Sequence, residues 1–195
     1  MENKETHIAH AAMQQFSKFG LRKTTMQDVA DAAGISRQTL YNIVPNKDAL
    51  LRLVARHYFT DNLQRCRMAL DAAAQAGPDL NQALEILIAH FVIEPWHTVN
   101  AMAEAGDFEA ATNAVIADEV AVAKSQKAAM IRDTIISLTK PQPLPAEQAD
   151  DIASFFCATA DGIKNDAETE ADLHALCKTL QQSLSLLINT HANAA

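Results

Sequence analysis

A long run of the sequence, from Asn46 to Ala76, contains neither glycine nor proline. These two residues most often interrupt a helix, and proline also disfavours the α conformation in the residue before it. Pro45 precedes the run and Gly77 follows it directly. The run is therefore predicted to be one unbroken helix of about 45 Å, since an α-helix rises about 1.5 Å per residue.

The composition extends this expectation to the rest of the chain. Five glycines and six prolines among 195 residues are too few to form the many turns of an all-β fold. Cys66, Cys157 and Cys177 are widely spaced and form no CxxC pair, which argues against a disulfide framework or zinc knuckle and favours a reducing cytoplasm. No uninterrupted apolar stretch reaches about 18 residues, and the chain does not start like a signal peptide. We expect an all-α cytoplasmic protein without a membrane segment.

The net charge of −8 is unevenly distributed. Residues 1–60 hold eight basic and five acidic side chains, a net charge of +3, whereas the remaining 135 residues hold eight basic and nineteen acidic ones, a net charge of −11. A surface that binds a polyanion is therefore expected in the first third of the chain. The acidic remainder is interpreted as solvated surface, with a functional acidic site as the alternative.

Two short helices are predicted in this basic first third. Thr25 is a plausible N-cap, and Asp28 three residues later completes a capping box. Gly34 ends this helix, and Ser36 is the N-cap of the next helix, which opens at Arg37. Two short helices joined by a three- or four-residue turn with a glycine match the helix-turn-helix motif.

Three blocks of sequence carry a resemblance to a known family. They are Thr24-Thr25-Met26-Gln27-Asp28-Val29-Ala30, Ala33-Gly34-Ile35-Ser36-Arg37-Gln38-Thr39-Leu40-Tyr41 and Pro45-Asn46-Lys47-Asp48-Ala49-Leu50-Leu51. In order and spacing they resemble the TetR family of bacterial transcriptional regulators over about residues 8–55. The resemblance implies a three-helix DNA-binding domain over 1–46 and a helical ligand-binding and dimerisation domain over 47–195. In that domain 47–76 is the connecting helix, and the whole chain has about nine helices.

Several polar side chains are candidate DNA contacts. The N-terminal end of the second helix of this motif enters the major groove, where Arg prefers guanine and Gln prefers adenine. A helix N-terminus such as that at Thr25 favours a phosphate, and contacts of this kind position the domain without reading sequence. We expect base contacts from Arg37, Gln38, Thr39 and Asn42, and phosphate contacts from Thr25, Tyr41 and Lys47.

The chain departs from the family pattern after Tyr41. Many members have an aromatic residue, then His, then Phe at the next three positions, where this chain has Asn42, Ile43 and Val44. Ile43 cannot donate the hydrogen bond that the His would give a phosphate, although Asn42 could itself read a base edge. For Tyr41, a place in the core is the alternative to a DNA contact.

The remainder of the chain is predicted to form helices over 80–93, 96–104, 108–138, 146–165 and 169–190, with a break at Glu94-Pro95. The resemblance implies a small-molecule cavity among the middle helices, and such cavities are mostly apolar. Trp96 and His97 flank the break. The pocket candidates are Phe91, Trp96, His97, Met102, Phe108, Met130 and Phe155, with ordinary core packing as the alternative.

The last two predicted helices carry apolar stripes, one of which has a seven-residue leucine repeat suited to packing against partner helices. A homodimer interface is predicted here, with internal core as the alternative. Its residues are Ile152, Phe156, Ile163, Leu173, Cys177, Leu180, Leu184 and Leu187.

The sequence contains none of the common catalytic motifs (HExxH, GxSxG or a glycine-rich phosphate loop). We predict no catalytic residue, metal site or cofactor, and interpret the acidic side chains between Asp161 and Asp172 as a solvated turn rather than a metal site. The predicted function is a homodimeric repressor, which a small molecule releases from a palindromic operator by a shift in conformational population. An all-α enzyme or ligand-binding protein that shares only the N-terminal pattern is the alternative.

Overall fold

The computed structural model describes residues 4–77, 79–101, 114–139 and 143–192, and the regular secondary-structure elements in these residues are all helices. Among them, no helix is long and apolar enough to cross a lipid bilayer. The predicted all-α fold with an N-terminal helix-turn-helix is confirmed. The helices are α1 (Lys4–Phe19), α2 (Met26–Ala32), α3 (Arg37–Ile43), α4 (Lys47–Ala76), α5 (Leu80–Ile88), a π-helical turn (Ala89–Ile93), α6 (Glu94–Asn100), α7 (Ala117–Leu138), α8 (Ala146–Asp166) and α9 (Glu170–Ala192).

Local signals set the helix boundaries in the first part of the chain. Gly20 follows α1 with a φ of 84°, a left-handed conformation that glycine adopts at no steric cost. Thr25 and Asp28 form the predicted capping box of α2, and Ser36 caps α3 through the Thr39 N–H. Asn46 caps α4, since its Oδ1 accepts a hydrogen bond of 2.8 Å from the Ala49 N–H. Each of these predicted helix starts is confirmed.

The chain divides into two compact units, and the first consists of Met1–Asp61 and His97–Val122. The side chains of Val115 and Ile116 pack against its core. The division within α4 differs from the domain boundary predicted at residue 46, because the first half of α4 contributes buried residues to this core. Its largest fully buried side chains are Ile8, Phe16, Leu40 and Leu50.

The second unit consists of Asn62–Trp96 and Ala123–Ala195. In it α9 packs against both α5 and α8, and α8 also packs against the π-helical turn. Hydrophobic burial of this kind is the main term that stabilises a helical core. The largest fully buried side chains here are Leu84, Leu87, Phe91, Ile131, Ile135, Phe156, Leu173 and Leu184.

The break predicted at Glu94-Pro95 is wrong, because the chain stays helical from Leu80 to Asn100. A π-helical turn accommodates the proline, and in it the Glu94 N–H donates to the Ala89 carbonyl, five residues earlier. In this register the His90 carbonyl would accept from residue 95, but proline has no N–H. The buried side chain of Asn62 supplies the missing donor, with its Nδ2 2.9 Å from the His90 oxygen.

Two other predicted boundaries are corrected. The helix predicted over 96–104 ends at Asn100, and the helix predicted over 108–138 begins at Ala117, since residues 114–116 form a turn and a bend. There the Arg52 Nε donates to the Val115 carbonyl at 3.0 Å. Packing of 115–116 against the first unit's core prevails over the local helical pattern.

Candidate functional site

Helix α3 presents polar side chains to solvent on a firmly anchored backbone. Leu40 is its fully buried residue and packs in the core of the first unit. Arg37, Gln38 and Asn42 are exposed. A side chain that must reach base edges in the major groove needs this arrangement, with one face of the helix fixed and the other free. Three of the four predicted base-contact residues therefore lie together on an accessible surface.

Thr39, the fourth predicted base-contact residue, is half-buried and belongs to the cap of α3. Its N–H donates to Ser36 Oγ at 3.0 Å, and the two hydroxyl oxygens share a hydrogen bond of 2.8 Å. The backbone bond satisfies one of the N–H groups left without a helical partner at this end of α3. A base contact from Thr39 stays a prediction.

Tyr41 lies on the exposed side of α3, with 36% of its surface accessible, so the alternative placement in the core is wrong. The Arg37 guanidinium lies 5.3 Å from the centre of the Tyr41 ring, and its Nη2 donates to the Tyr41 hydroxyl at 3.4 Å. A cation stacked on an aromatic face in this way has fewer conformations open to it. The pair therefore holds a cation and a hydroxyl side by side on the candidate DNA-binding surface.

Thr25 is exposed at the N-terminus of α2, where a phosphate contact was predicted. Its N–H and its hydroxyl each donate to Asp28 Oδ2 at 2.7 Å. The hydrogen bond from the Thr25 backbone, followed by that from its side chain, lowers the pKa of Asp28 below its usual value. The Asp28 carboxylate thus already accepts the donors that a phosphate would use, so a phosphate contact here requires an exchange of partners.

Lys47 is the first residue of α4, but its amine donates hydrogen bonds to two backbone carbonyls of the same chain. Its Nζ donates to the Leu21 carbonyl at 2.6 Å and to the Thr24 carbonyl at 2.8 Å, and partial burial lowers the pKa of the amine. The buried Thr24 hydroxyl in turn donates to the Gly20 carbonyl at 2.8 Å. Lys47 therefore fixes the turn before Thr25, and one of its three N–H groups remains for the predicted phosphate contact.

Two basic residues in that turn received no role from the sequence. Arg22 and Lys23 are exposed in the segment between α1 and the Thr25 cap. Their position next to Thr25, a predicted phosphate contact, could have identified them as DNA contacts. Cations that flank a DNA-reading helix contact the phosphate backbone of the DNA. Ile43, where the family pattern has a His, is half-buried and packs against the core of the first unit.

The predicted pocket residues that the structure describes lie in different surroundings. Phe91 and Met130 are buried core residues, as the alternative had it, and Phe155 is 44% exposed on α8. Trp96 is half-buried, and its Nε1 donates to the Ala167 carbonyl at 3.1 Å. His97 is exposed, and Met102 and Phe108 lie outside the described residues.

A groove of about 220 Å³ lies elsewhere in the second unit, between the end of α4, the start of α5 and the last turns of α7. Of the predicted pocket residues that the structure describes, Met130 lines it. Apolar side chains of different sizes and several polar groups share its wall. The lining residues are Arg67, Leu70, Asp71, Ala73, Ala74, Asp79, Ala83, Met130, Asp133, Thr134, Ser137 and Leu138.

The predicted dimer-interface residues are mostly internal core, which corrects the sequence interpretation. Their stripes face α5 and the π-helical turn of the same chain, so no partner is needed to cover them. Leu187 is the exception and is 39% exposed. Phe155 and Leu176 are also exposed on the same two helices. The buried members are Ile152, Phe156, Ile163, Leu173, Cys177, Leu180 and Leu184.

Comparison with known proteins agrees with the local geometry. A family model described as bacterial regulatory proteins, tetR family, matches residues 8–54. The HTH-type transcriptional repressor KstR2 of Rhodococcus jostii (strain RHA1) is 31% identical over 85 residues, which are 44% of this chain and 40% of that repressor. The matched part thus spans less than half the length of this curated relative.

Solved structures show the same fold over nearly the whole chain. A transcriptional regulator from Rhodococcus sp. Rha1 has a TM-score of 0.66 at 19% identity, with 99% of this chain and 98% of that chain covered. The fatty acid degradation regulator FadR from Bacillus halodurans has a TM-score of 0.66 at 17% identity, with 94% and 95% covered. At these identities the likeness establishes the fold.

Proposed function

We propose that the chain is a repressor of the tetR family of bacterial regulatory proteins, whose family model matches residues 8–54, and that it binds operator DNA through α3. The observation that carries the proposal is the exposed row of Arg37, Gln38 and Asn42 on a helix fixed by Leu40. The family and the matching relatives are regulators, so the enzyme alternative is set aside.

The division of roles on this surface follows from chemistry. Arg37 is suited to the O6 and N7 of guanine, and Gln38 and Asn42 to the N6 and N7 of adenine. Tyr41 and the turn cations Arg22 and Lys23 are suited to phosphate oxygens, which give affinity and salt dependence but no sequence preference. The net charge of +3 over residues 1–60 supports this placement of the polyanion.

The repressor is proposed to act as a homodimer on a palindromic operator. A twofold dimer presents two recognition helices to two half-sites, about one DNA turn or a multiple of it apart. A partner surface on these helices is supported by exposed apolar side chains, which are Phe155 on α8 and Leu176, Leu186 and Leu187 on α9. Leu176 and Leu187 are eleven positions apart, so they lie on one side of α9.

A small-molecule effector is proposed to release the operator. Such a ligand must bind one conformation of the dimer better than the other, and the conformation it favours must hold DNA less tightly. The groove between α4, α5 and α7, with its mixed apolar and polar wall, supports the second unit as a place where a small ligand binds.

Operator binding is tested by fluorescence anisotropy with DNA that flanks the protein's own gene. Arg37→Ala should weaken specific binding by about 1–3 kcal/mol and relax the preference at one base position. Lys178→Ala, which removes an exposed cation from α9, is the matched control and should bind as the wild type does. If both variants retain wild-type affinity and sequence preference, α3 is not the recognition element.

A further inference from the structure

A cluster of charged side chains lies between α7 and α8, away from the groove described above. Asp161 on α8 accepts two ion pairs, from Lys124 Nζ at 2.8 Å and from Lys164 Nζ at 2.8 Å. The two lysines differ in exposure, since 57% of the Lys124 side chain is accessible but only 22% of that of Lys164. One carboxylate therefore serves two cations at the edge of the second unit's core.

A third amine lies deeper in the same cluster. Lys127 is one turn along α7 from Lys124, and its Nζ lies 5.2 Å from the centre of the fully buried Phe91 ring. In the part of the chain that the structure describes, no carboxylate is within ion-pair distance of this Nζ. With Asp161 as the one acid, the three lysines give the cluster a net charge of +2. Lys127 is thus a partly buried cation, and the acid of the cluster, Asp161, already pairs with Lys124 and Lys164.

The energetics of this arrangement are unfavourable without a further anion. Burial, and then repulsion from Lys164, lowers the pKa of Lys127 to about 8, despite the opposing effect of Asp161. The neighbouring Cys157 gives no compensating charge at neutral pH, because burial raises the pKa of its thiol. A cation near an aromatic face gains some energy from the ring, but far less than from a bonded counter-ion.

We propose that Lys124, Lys127 and Lys164 form a binding site for the oxyanion group of a small molecule, a carboxylate or a phosphate, with Lys127 as the central donor. Each ammonium has three N–H donors, so the pairs with Asp161 leave donors for a ligand. The accessible Lys124 gives an anion a way in from solvent. This site is separate from the groove between α4, α5 and α7, and the inference does not rest on the proposed function.

The test is isothermal titration of the full-length protein with sodium hexanoate and, separately, with inorganic phosphate, at an ionic strength held constant with chloride. The wild type should bind at least one anion saturably. Lys127→Met should weaken that binding at least tenfold, whereas Lys178→Met, which removes an exposed lysine of α9, should change it less than twofold. Binding of hexanoate alone indicates an organic acid, and binding of phosphate alone indicates a phosphate ester.

Lys127→Gln provides a second variant, and circular dichroism checks that each variant is folded. The absence of saturable binding to the wild type, or equal weakening by Lys127→Met and Lys178→Met, would overturn the site. Operator binding measured on the same samples without anion keeps the two proposals apart. A protein that binds the anion but no DNA contradicts the repressor, and its anion site stands.

Discussion

Lys47 and Lys127 are both partly buried, and they differ in the groups that surround the amine. Lys47 bonds to two carbonyls, and burial lowers the pKa of its amine in spite of them. Lys127 has an aromatic ring and two other cations beside it, and the pKa of its amine falls to about 8. The first lysine fixes a turn, whereas the second destabilises the folded protein for as long as it stays charged.

Lys127 therefore makes stability depend on pH. An unfolded chain binds a proton at this lysine up to pH 10.5, its ordinary value, whereas the folded protein releases it near pH 8. Between these values the unfolded state binds more protons, so the free energy of unfolding rises with pH. Relative to Lys127→Met, the wild type should gain about 1–3 kcal/mol across this window, since a tenfold change in a protonation equilibrium is worth about 1.4 kcal/mol.

Urea denaturation of both proteins at pH 7 and pH 10.5 measures this difference. Burial raises the pKa of the Cys66 thiol to about 12, which acts in the opposite sense above pH 9, but Cys66 is common to both proteins and cancels. Parallel pH profiles for the wild type and Lys127→Met would show that Lys127 has the same pKa folded and unfolded.

The contrast between Thr25 and Lys47 shows which residue roles a sequence can predict. The Thr25 cap depends on Asp28 three residues away, and the capping box was found from the sequence. The Lys47 amine bonds to carbonyls 26 and 23 residues earlier, which only the packed fold brings within reach. Contacts within one turn of helix were predictable, and contacts between elements were not.

At the scale of helices, the same limit appears at Pro95. Local preference predicted a break, but the π-helical turn and the buried side chain of Asn62 compensate for the missing N–H. Asn62 lies on α4, 28 residues before His90, so the sequence around Pro95 does not indicate that this hydrogen bond forms. Burial of Phe91 and Val92 in the core favours continuing the helix.

This account of Pro95 predicts a coupled effect. Asn62→Ala should destabilise the protein by about 1–3 kcal/mol, because the His90 carbonyl loses the donor that replaces the missing N–H of Pro95. Gln64→Ala, an exposed neighbour on α4, should change stability by no more than about 0.5 kcal/mol. In a Pro95→Ala background, residue 95 can donate to His90 and Asn62→Ala should cost less. Denaturant unfolding of the four proteins in the cycle measures the coupling, and additive effects would contradict the role given to Asn62.

Substitutions on α8 and α9 can distinguish the proposed dimer surface from the core. Leu187→Asp and Phe155→Asp place a charge on exposed positions, so each should give a folded monomer. Leu184→Asp buries a charge in the core of the second unit and should unfold it instead. Sedimentation with circular dichroism distinguishes these results, with Met68→Asp on exposed α4 as the control. Dimers that persist in both surface variants would place the interface elsewhere.

At the scale of the whole molecule, the sequence predicted the fold better than the sites. Several sequence features favour the same all-α fold. They are the low number of glycines and prolines, the run from Asn46 to Ala76 without either residue, and the caps of the first helices. The pocket and dimer residues were harder, because an apolar stripe looks the same whether a partner, a ligand or the chain itself covers it. Leu184 and Leu187 illustrate this, since one is fully buried and the other exposed.

The central claim is that the exposed face of α3 reads an operator, and DNase footprinting of the DNA that flanks the protein's own gene tests it most directly. The wild type should protect one or more sites with twofold sequence symmetry at concentrations that leave unrelated DNA unprotected. Gln38→Ala should lose that protection while keeping the weaker, salt-sensitive binding to all DNA. Equal protection of flanking and unrelated DNA by the wild type would contradict the claim.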